Sequence, residues 1–284
     1  MNLLVVLIVL GLRQSGLIRE PTATIAALIR KWRDSWLARG SREGWHAMVV
    51  LAFIVLPPVL LTLAMVSLLT AVWHGLLVWL VSLLALLIVL LDRQQPGVLK
   101  REQEGWLAHS AQDEVVLASA DLPALEAAAE VELERARKGL LEEQMRELFA
   151  PLFWFLLLGP AAALAYYFLR LSVLAGESVV STAGRRILHY ADWPVARVLG
   201  LSFALAGDFV ATWQHWRGYV LNRDIEALTL LDESVAAAQP VDLRMTVEAR
   251  PGAVLATALG MVAALLHRTL VIWIVLLALH TLWP

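Results

Sequence analysis

Residues 46–91 read HAMVVLAFIVLPPVLLTLAMVSLLTAVWHGLLVWLVSLLALLIVLL, and this stretch decides the fold. From Met48 to Leu91 it carries no charged side chain, apart from His74 if that ring is protonated. About 20 apolar residues span a bilayer core, so His46 to Ala71 and Trp73 to Leu91 are each long enough to cross. The linker around Ala71 to His74 is very short, which makes the pair a tight helical hairpin. Pro57-Pro58 should kink the first helix, because proline removes a donor and clashes with the preceding turn. Trp73 and Trp79 suit a headgroup interface or simple packing.

Working outward, the flank before the hairpin carries Arg13, Arg19, Arg30, Lys31, Arg33, Arg39 and Arg42, and the flank after it Arg93, Lys100 and Arg101. The tip has no lysine or arginine. The positive-inside rule therefore places both flanks in the cytoplasm and the tip outside. The whole chain agrees in character: of 284 residues 60% are apolar and 17% charged, with a mean hydropathy of +0.69. Soluble domains sit near about 45–50% and about 25%. Disordered, collagen-like and small disulfide-scaffold chains are excluded. Cysteine is absent, which removes disulfides, zinc–thiolate and iron–sulfur sites and cysteine nucleophiles. A net charge of −2 gives no global field to recruit nucleic acid, and none is expected as a partner.

The remaining segments are shorter or more polar. Leu3 to Leu12 is apolar but brief, lacks a basic leader and a small-x-small cleavage site, and reads as a half-inserted or core-packed helix rather than a cleaved signal. Ile25 to Trp36 has apolar residues at helical spacing and lies either on the membrane surface, with Trp32 and Trp36 at the interface, or on the protein's own core. Asp121-Leu122-Pro123 reads as an N-cap with proline in the first turn. The next helix, Ala124 to Phe149, allows Glu134–Lys138 and Glu142–Arg146 pairs at i,i+4. Its dense carboxylates, Glu126 to Glu147, read as a solvated face.

Ala150 to Leu169 is a third apolar run, interrupted by Gly159-Pro160. It is either one kinked membrane helix or a re-entrant hairpin whose turn is buried in protein. Eight arginines between Arg170 and Arg250 favour a cytoplasmic return, through that hairpin or a second crossing near Val195 to Val210. The last apolar segment, Thr269 to Trp283, follows His267-Arg268, and Arg268 can snorkel at the cytoplasmic interface.

No strand-like alternation is present. The expected fold is an all-α, polytopic integral membrane protein, with the lipid bilayer as its first partner. Its expected segments are an N-terminal apolar and basic part (1–45), a transmembrane hairpin (46–91), a cytoplasmic helical loop (92–149), a region with one broken apolar segment and amphipathic helices (150–268) and a C-terminal transmembrane helix (269–284).

Most chemical motifs are missing. There is no phosphate loop, Gly-x-Gly-x-x-Gly, His-Glu-x-x-His or nucleophile elbow, and no two histidines stand at i,i+3 or i,i+4. The first two spans lack ionisable residues, which counts against a transporter. Candidate binding residues gather around the third run instead. Arg146 precedes it and Arg170 ends it, and His189, Asp192 and Arg197 surround Trp193-Pro194. If the run is a hairpin, Arg146 and Arg170 meet at one cytoplasmic surface and form an anion site for phosphate or carboxylate. The plainer reading, interfacial arginines flanking a membrane segment, is preferred. Glu142, Glu143, Asp208 and His215 are secondary candidates; Asp208, Thr212 and His215 fall on one helical face, which alone reads as a solvated stripe.

The string Phe149-Ala150-Pro151-Leu152-Phe153-Trp154, continuing through Gly159-Pro160 and Ala165-Tyr166-Tyr167-Phe168-Leu169-Arg170, resembles the AmpE family of membrane regulatory signalling modulators. Leu188-His189, Asp192-Trp193 and Arg197 extend the resemblance, which covers nearly the whole chain in length and segment order. That family is similar in turn to the CobD/CbiB cobinamide-phosphate synthases, which use ATP and magnesium. The synthases carry a Glu-Asn-Thr-x-Asp-type motif before Ala-Pro-Leu-Phe; here the stretch is Glu142-Glu143-Gln144-Met145-Arg146. Arg170-Leu171-Ser172 replaces their Asn-Thr-Leu-Asp-Ser, and Leu188-His189 replaces an acidic pair. These swaps remove oxygen donors that magnesium needs.

The resemblance implies an inner-membrane modulator of β-lactamase induction linked to cell-wall recycling. Such a protein is non-catalytic and has a small anionic ligand or a protein partner in that signalling. No catalytic residue, metal or cofactor is expected. The alternative is a membrane enzyme of amide- or phosphate-transfer type acting on an anionic envelope metabolite, under which Mg-ATP enters.

Overall fold

A computed structural model describes residues 2–15, 19–43, 46–72, 76–92, 97–110, 122–174, 178–220, 222, 225–240 and 251–282. All regular structure among them is helical. In chain order the helices are α1 (Asn2–Ser15), α2 (Arg19–Glu43), α3 (Ala47–Val72), α4 (Leu76–Leu91), α5 (Val98–Ser110) and α6 (Leu122–Gln144). A π-helical turn, Met145–Phe149, leads into α7 (Ala150–Leu158) and α8 (Pro160–Val173). Then come α9 (Val179–Ala206), α10 (Phe209–Tyr219), α11 (Ala227–Ala238) and α12 (Pro251–Leu282). Asp121 and the hairpin tip at Trp73 and His74 lie outside the described residues.

Two helical stretches, Ala47–Thr70 and Gly252–Leu279, are long and apolar enough to cross a membrane. The second apolar run forms a shorter apolar helix over Leu77–Leu91. α3 continues through Pro57-Pro58, and Thr62 donates its hydroxyl to the Pro58 carbonyl at 2.8 Å. The last helix begins at Pro251, so Gly252 to Leu266, which could continue the C-terminal helix or pack against the core, continues it; Pro251 suits a first turn. Val195 to Val210 forms no second crossing helix: α9 ends at Ala206, and Asp208 starts the next helix.

The third apolar run is two helices. α7 ends at Gly159, whose φ of 86° and ψ of −170° lie where only glycine is unstrained. Its N–H donates to the Phe155 carbonyl at 2.9 Å, and Pro160 then opens α8 at its first position. α7 packs against α8. At about 1.5 Å per residue, nine residues reach about 14 Å, half of a bilayer core. The run is a helical hairpin and not a single kinked helix.

The chain divides into two compact units built from discontinuous pieces. One comprises Met1–Gln94, Arg146–Val195 and Ile274–Pro284, the other Gln95–Met145 and Ala196–Trp273. In the first, α8 packs on α3 and α4, and α1 lies on α4. Its core contains Val50, Ile54, Ala85, Val89, Leu164, Tyr167, Phe168 and Leu171. Trp36 of α2 packs against this core and stacks on Phe53 with ring centroids 4.9 Å apart, and Arg39 lies 4.8 Å over the Trp36 ring. Trp32 stays exposed. In the second unit α11 packs on α6 and α10, and α5 on α6. There Gly200 admits the Trp216 indole so closely that a Cβ would meet it at 3.0 Å.

Candidate functional site

The π turn sets up the site. A π turn fits one more residue per turn than an α-helix and so rotates the succeeding residues around the axis. Arg146 and Glu147 sit within it, and both engage the first unit's interior. Arg170, in the last turn of α8, donates Nη2–H to Glu147 Oε1 at 2.8 Å and Nη1–H to the Arg146 carbonyl at 3.2 Å. The α7–α8 hairpin thus brings its two ends together. Arg13 of α1 adds a bond to the Glu147 carbonyl at 2.9 Å and lies 4.0 Å from Oε2. On the other side of the turn Arg146 Nε–H reaches Asp192 Oδ2 of α9 at 3.4 Å, and the Tyr166 hydroxyl donates to Oδ1 at 2.7 Å.

Three guanidiniums and two carboxylates therefore share one cluster. Glu147, Arg170 and Asp192 are buried, whereas Arg146 keeps 27% of its side chain exposed. Burial holds the Asp192 carboxyl above its ordinary range and outweighs the attraction of Arg146. A second polar knot lies in the same unit, where Asp92 accepts from Arg30 at 3.2 Å and from the Tyr167 hydroxyl at 2.5 Å.

Of the residues singled out in the sequence, Arg146, Arg170 and Asp192 come together. His189 is half-buried, with its ring 5.7 Å from that of Tyr190. The others serve the second unit. Arg197 donates to the Val220 carbonyl at 3.3 Å and the Asn222 carbonyl at 2.6 Å. Glu143 accepts the Val98 N–H at 2.8 Å, at the start of α5. Asp208 is the N-cap of α10 and accepts from the Ala211 N–H at 3.0 Å; it precedes the helix whose face it was expected to share. His215 lies 3.6 Å from Glu233. The Glu134–Lys138 pair forms, and Arg146 reaches Asp192.

Sequence reasoning missed Glu147, Arg13 and Tyr166. Glu147 was absorbed into the solvated carboxylate face, and nothing in the residue pattern sets it apart from the other carboxylates of that helix. Among the described residues no group of three or more His, Asp or Glu is placed to hold a metal.

Beside the cluster lies an apolar groove of about 470 Å³. Its walls are Leu51 and Val55 of α3, Trp154 of α7, Ala162 and Tyr166 of α8, and Ile187 and Ala191 of α9. Tyr166 belongs to both groove and cluster, its ring on one and its hydroxyl in the other. No family model, curated protein or solved structure matches the chain.

Proposed function

We propose that the chain is a multi-pass protein of the bacterial inner membrane. Its proposed role is that of a non-catalytic regulatory modulator of the AmpE type, acting in β-lactamase induction and responding to an anionic ligand or a protein partner of cell-wall recycling. The membrane reading rests on where the apolar surface lies. Only 22% of the best apolar window of α3, and 28% of that of α12, is buried inside the protein. Leu60, Leu61 and Leu68 of α3 and Val275, Leu276 and Leu279 of α12 are left exposed. Contiguous apolar surface of this extent calls for hydrocarbon rather than water.

The observation that carries the regulatory reading is the commitment of Glu147 and Asp192 to arginine and tyrosine. Carboxylates bound this way hold helices in register, and they offer little to a reaction that needs a general base or a cation ligand.

Deletion of the gene in its native host tests the reading. The strain should show an altered β-lactamase induction curve on challenge with a cell-wall-active β-lactam. Expression of the wild type should restore it, with the protein held in carbonate-washed membranes. Unchanged induction overturns the regulatory role, and extraction by carbonate overturns the membrane placement.

A further inference from the structure

We infer that α2 lies in the plane of the membrane, across one end of the α3–α4–α8 bundle, with its Leu28–Trp32 edge seated at the headgroup–acyl boundary of the phospholipid leaflet. The inference rests on the membrane placement and goes beyond the regulatory reading.

The orientation follows from the contacts of α2 within the first unit, to which all four helices belong. Arg30 bonds Asp92, directly after the last turn of α4, at 3.2 Å. One turn on, Arg33 donates to the Leu171 carbonyl in the last turn of α8, at 3.1 Å. Trp36 then stacks on Phe53, and Gly40 abuts Val50 so closely that a Cβ would overlap its side chain. Both partners stand in the first two turns of α3. α2 thus steps from the end of α4 to the end of α8 to the start of α3. From Arg30 to Gly40, at about 1.5 Å per residue, it covers about 15 Å, close to two interhelical spacings. It therefore runs across the bundle end, at the level where the uncharged runs of α3 and α4 give way to charge.

The occupant is argued from the side of α2 that the bundle leaves open. Ile29, Trp36 and Leu37 pack on the core. By helical spacing Leu28, Trp32 and Arg39 fall on an edge beside that face, and Lys31 and Asp34 on the side away from it. Leu28 is 63% and Trp32 40% exposed. Aromatic rings join this edge to the outer face of α3: Trp32 meets Trp36 edge-on at 5.6 Å, and Trp36 stacks on Phe53, itself exposed beside Val49. The apolar strip thus continues onto a helix long enough to cross a bilayer, and the solvent of the one is the solvent of the other. Tryptophan suits the headgroup level, and arginine reaches phosphates from it. The two placements open to Ile25–Trp36 in the sequence are thereby divided, Trp36 taking the core and Trp32 the lipid.

The chain has no cysteine, so single cysteines carry a nitroxide label without background. The test uses full-length Leu28→Cys, Trp32→Cys, Lys31→Cys, Asp34→Cys and Leu60→Cys proteins in vesicles of phosphatidylethanolamine and phosphatidylglycerol. Collisions with oxygen, which concentrates in hydrocarbon, and with a water-soluble nickel chelate read each environment. Labels at 28 and 32 should favour oxygen, with nickel collisions about fivefold below those at 31 and 34, as for an in-plane helix. The label at 60, on the outer face of α3, should lie deepest. If Trp32→Cys loses its thermal transition, Ser35→Cys on the same edge replaces it. Nickel access at 28 and 32 equal to that at 31 and 34, with 60 still in hydrocarbon, overturns the inference alone. Shielding of 28 and 32 from both reagents also overturns it, because a second protein surface then covers the edge. Nickel access at 60 overturns the membrane placement and the inference with it. None of these outcomes bears on β-lactamase induction.

Discussion

One arginine from each unit shows two ways of anchoring a guanidinium, Arg170 of the first on a carboxylate and Arg197 of the second on main-chain carbonyls. In the first, Arg170 and Arg146 meet side-chain carboxylates, Glu147 and Asp192, in buried ion pairs. In the second, Arg197 donates to main-chain carbonyls, those of Val220 and Asn222, while Trp216 donates to the carbonyl of Arg197 itself. A carbonyl that loses its donor remains neutral. A carboxylate that loses its cation becomes an isolated buried charge, or takes up a proton. Arg170 therefore stabilises by pairing and Arg197 by tying down backbone, while Arg137 of the second unit pairs with Asp232 as Arg170 does with Glu147.

The largest effect should come from the paired arginine. Arg170→Met takes the nearer cation from Glu147 and leaves Arg13 at 4.0 Å; breaking a buried pair from one side costs about 3–5 kcal/mol. Denaturant unfolding in detergent should show this loss, and Arg170→Met combined with Glu147→Leu should recover most of it, because an apolar replacement of both partners is often neutral. A double variant as unstable as the single would break the contrast. Arg197→Met should cost about 1.5–3 kcal/mol, the worth of bonds to a charged group. Limited proteolysis should then cut faster near residues 219–226, and no second substitution should rescue it, since its partners are backbone.

The smallest effect concerns Asp192 and pH. Burial raises its pKa in the native protein, so the native state binds the proton more tightly than the unfolded chain. That contribution is complete below the unfolded value and fades as pH rises through the native one. The wild type should accordingly gain stability over Asp192→Asn as pH falls from neutrality toward the ordinary carboxylate range. Thermal midpoints of the two proteins across that interval check the sign, and a gap that runs the other way would mean that Arg146 outweighs burial.

Much of the helical layout was legible because hydropathy needs no tertiary knowledge. The run from His46 to Leu91 announces two helices, and Gly159-Pro160 marks the break between α7 and α8. The choice between a kinked helix and a hairpin was not legible, since it turns on the backbone angles at Gly159. The cluster was half legible. Arg146 and Arg170 stand out as charges at the ends of an apolar run, and Asp192 by its place beside Trp193-Pro194. Glu147 did not stand out, because a periodic reading carried through Met145–Phe149 assumes α geometry where the chain makes a π turn. Asp208 shows the reverse error: a face was assigned to a residue whose work is to cap the helix.

The chain reversal at Gly159 also bears on how the crossings are counted. A segment that enters and leaves by the same side adds nothing to the parity of a membrane topology. In a bilayer Phe149 and Leu174 then report the same compartment despite the apolar residues between them. Under the membrane placement proposed above, counting 150–169 as one span would invert every assignment downstream of it.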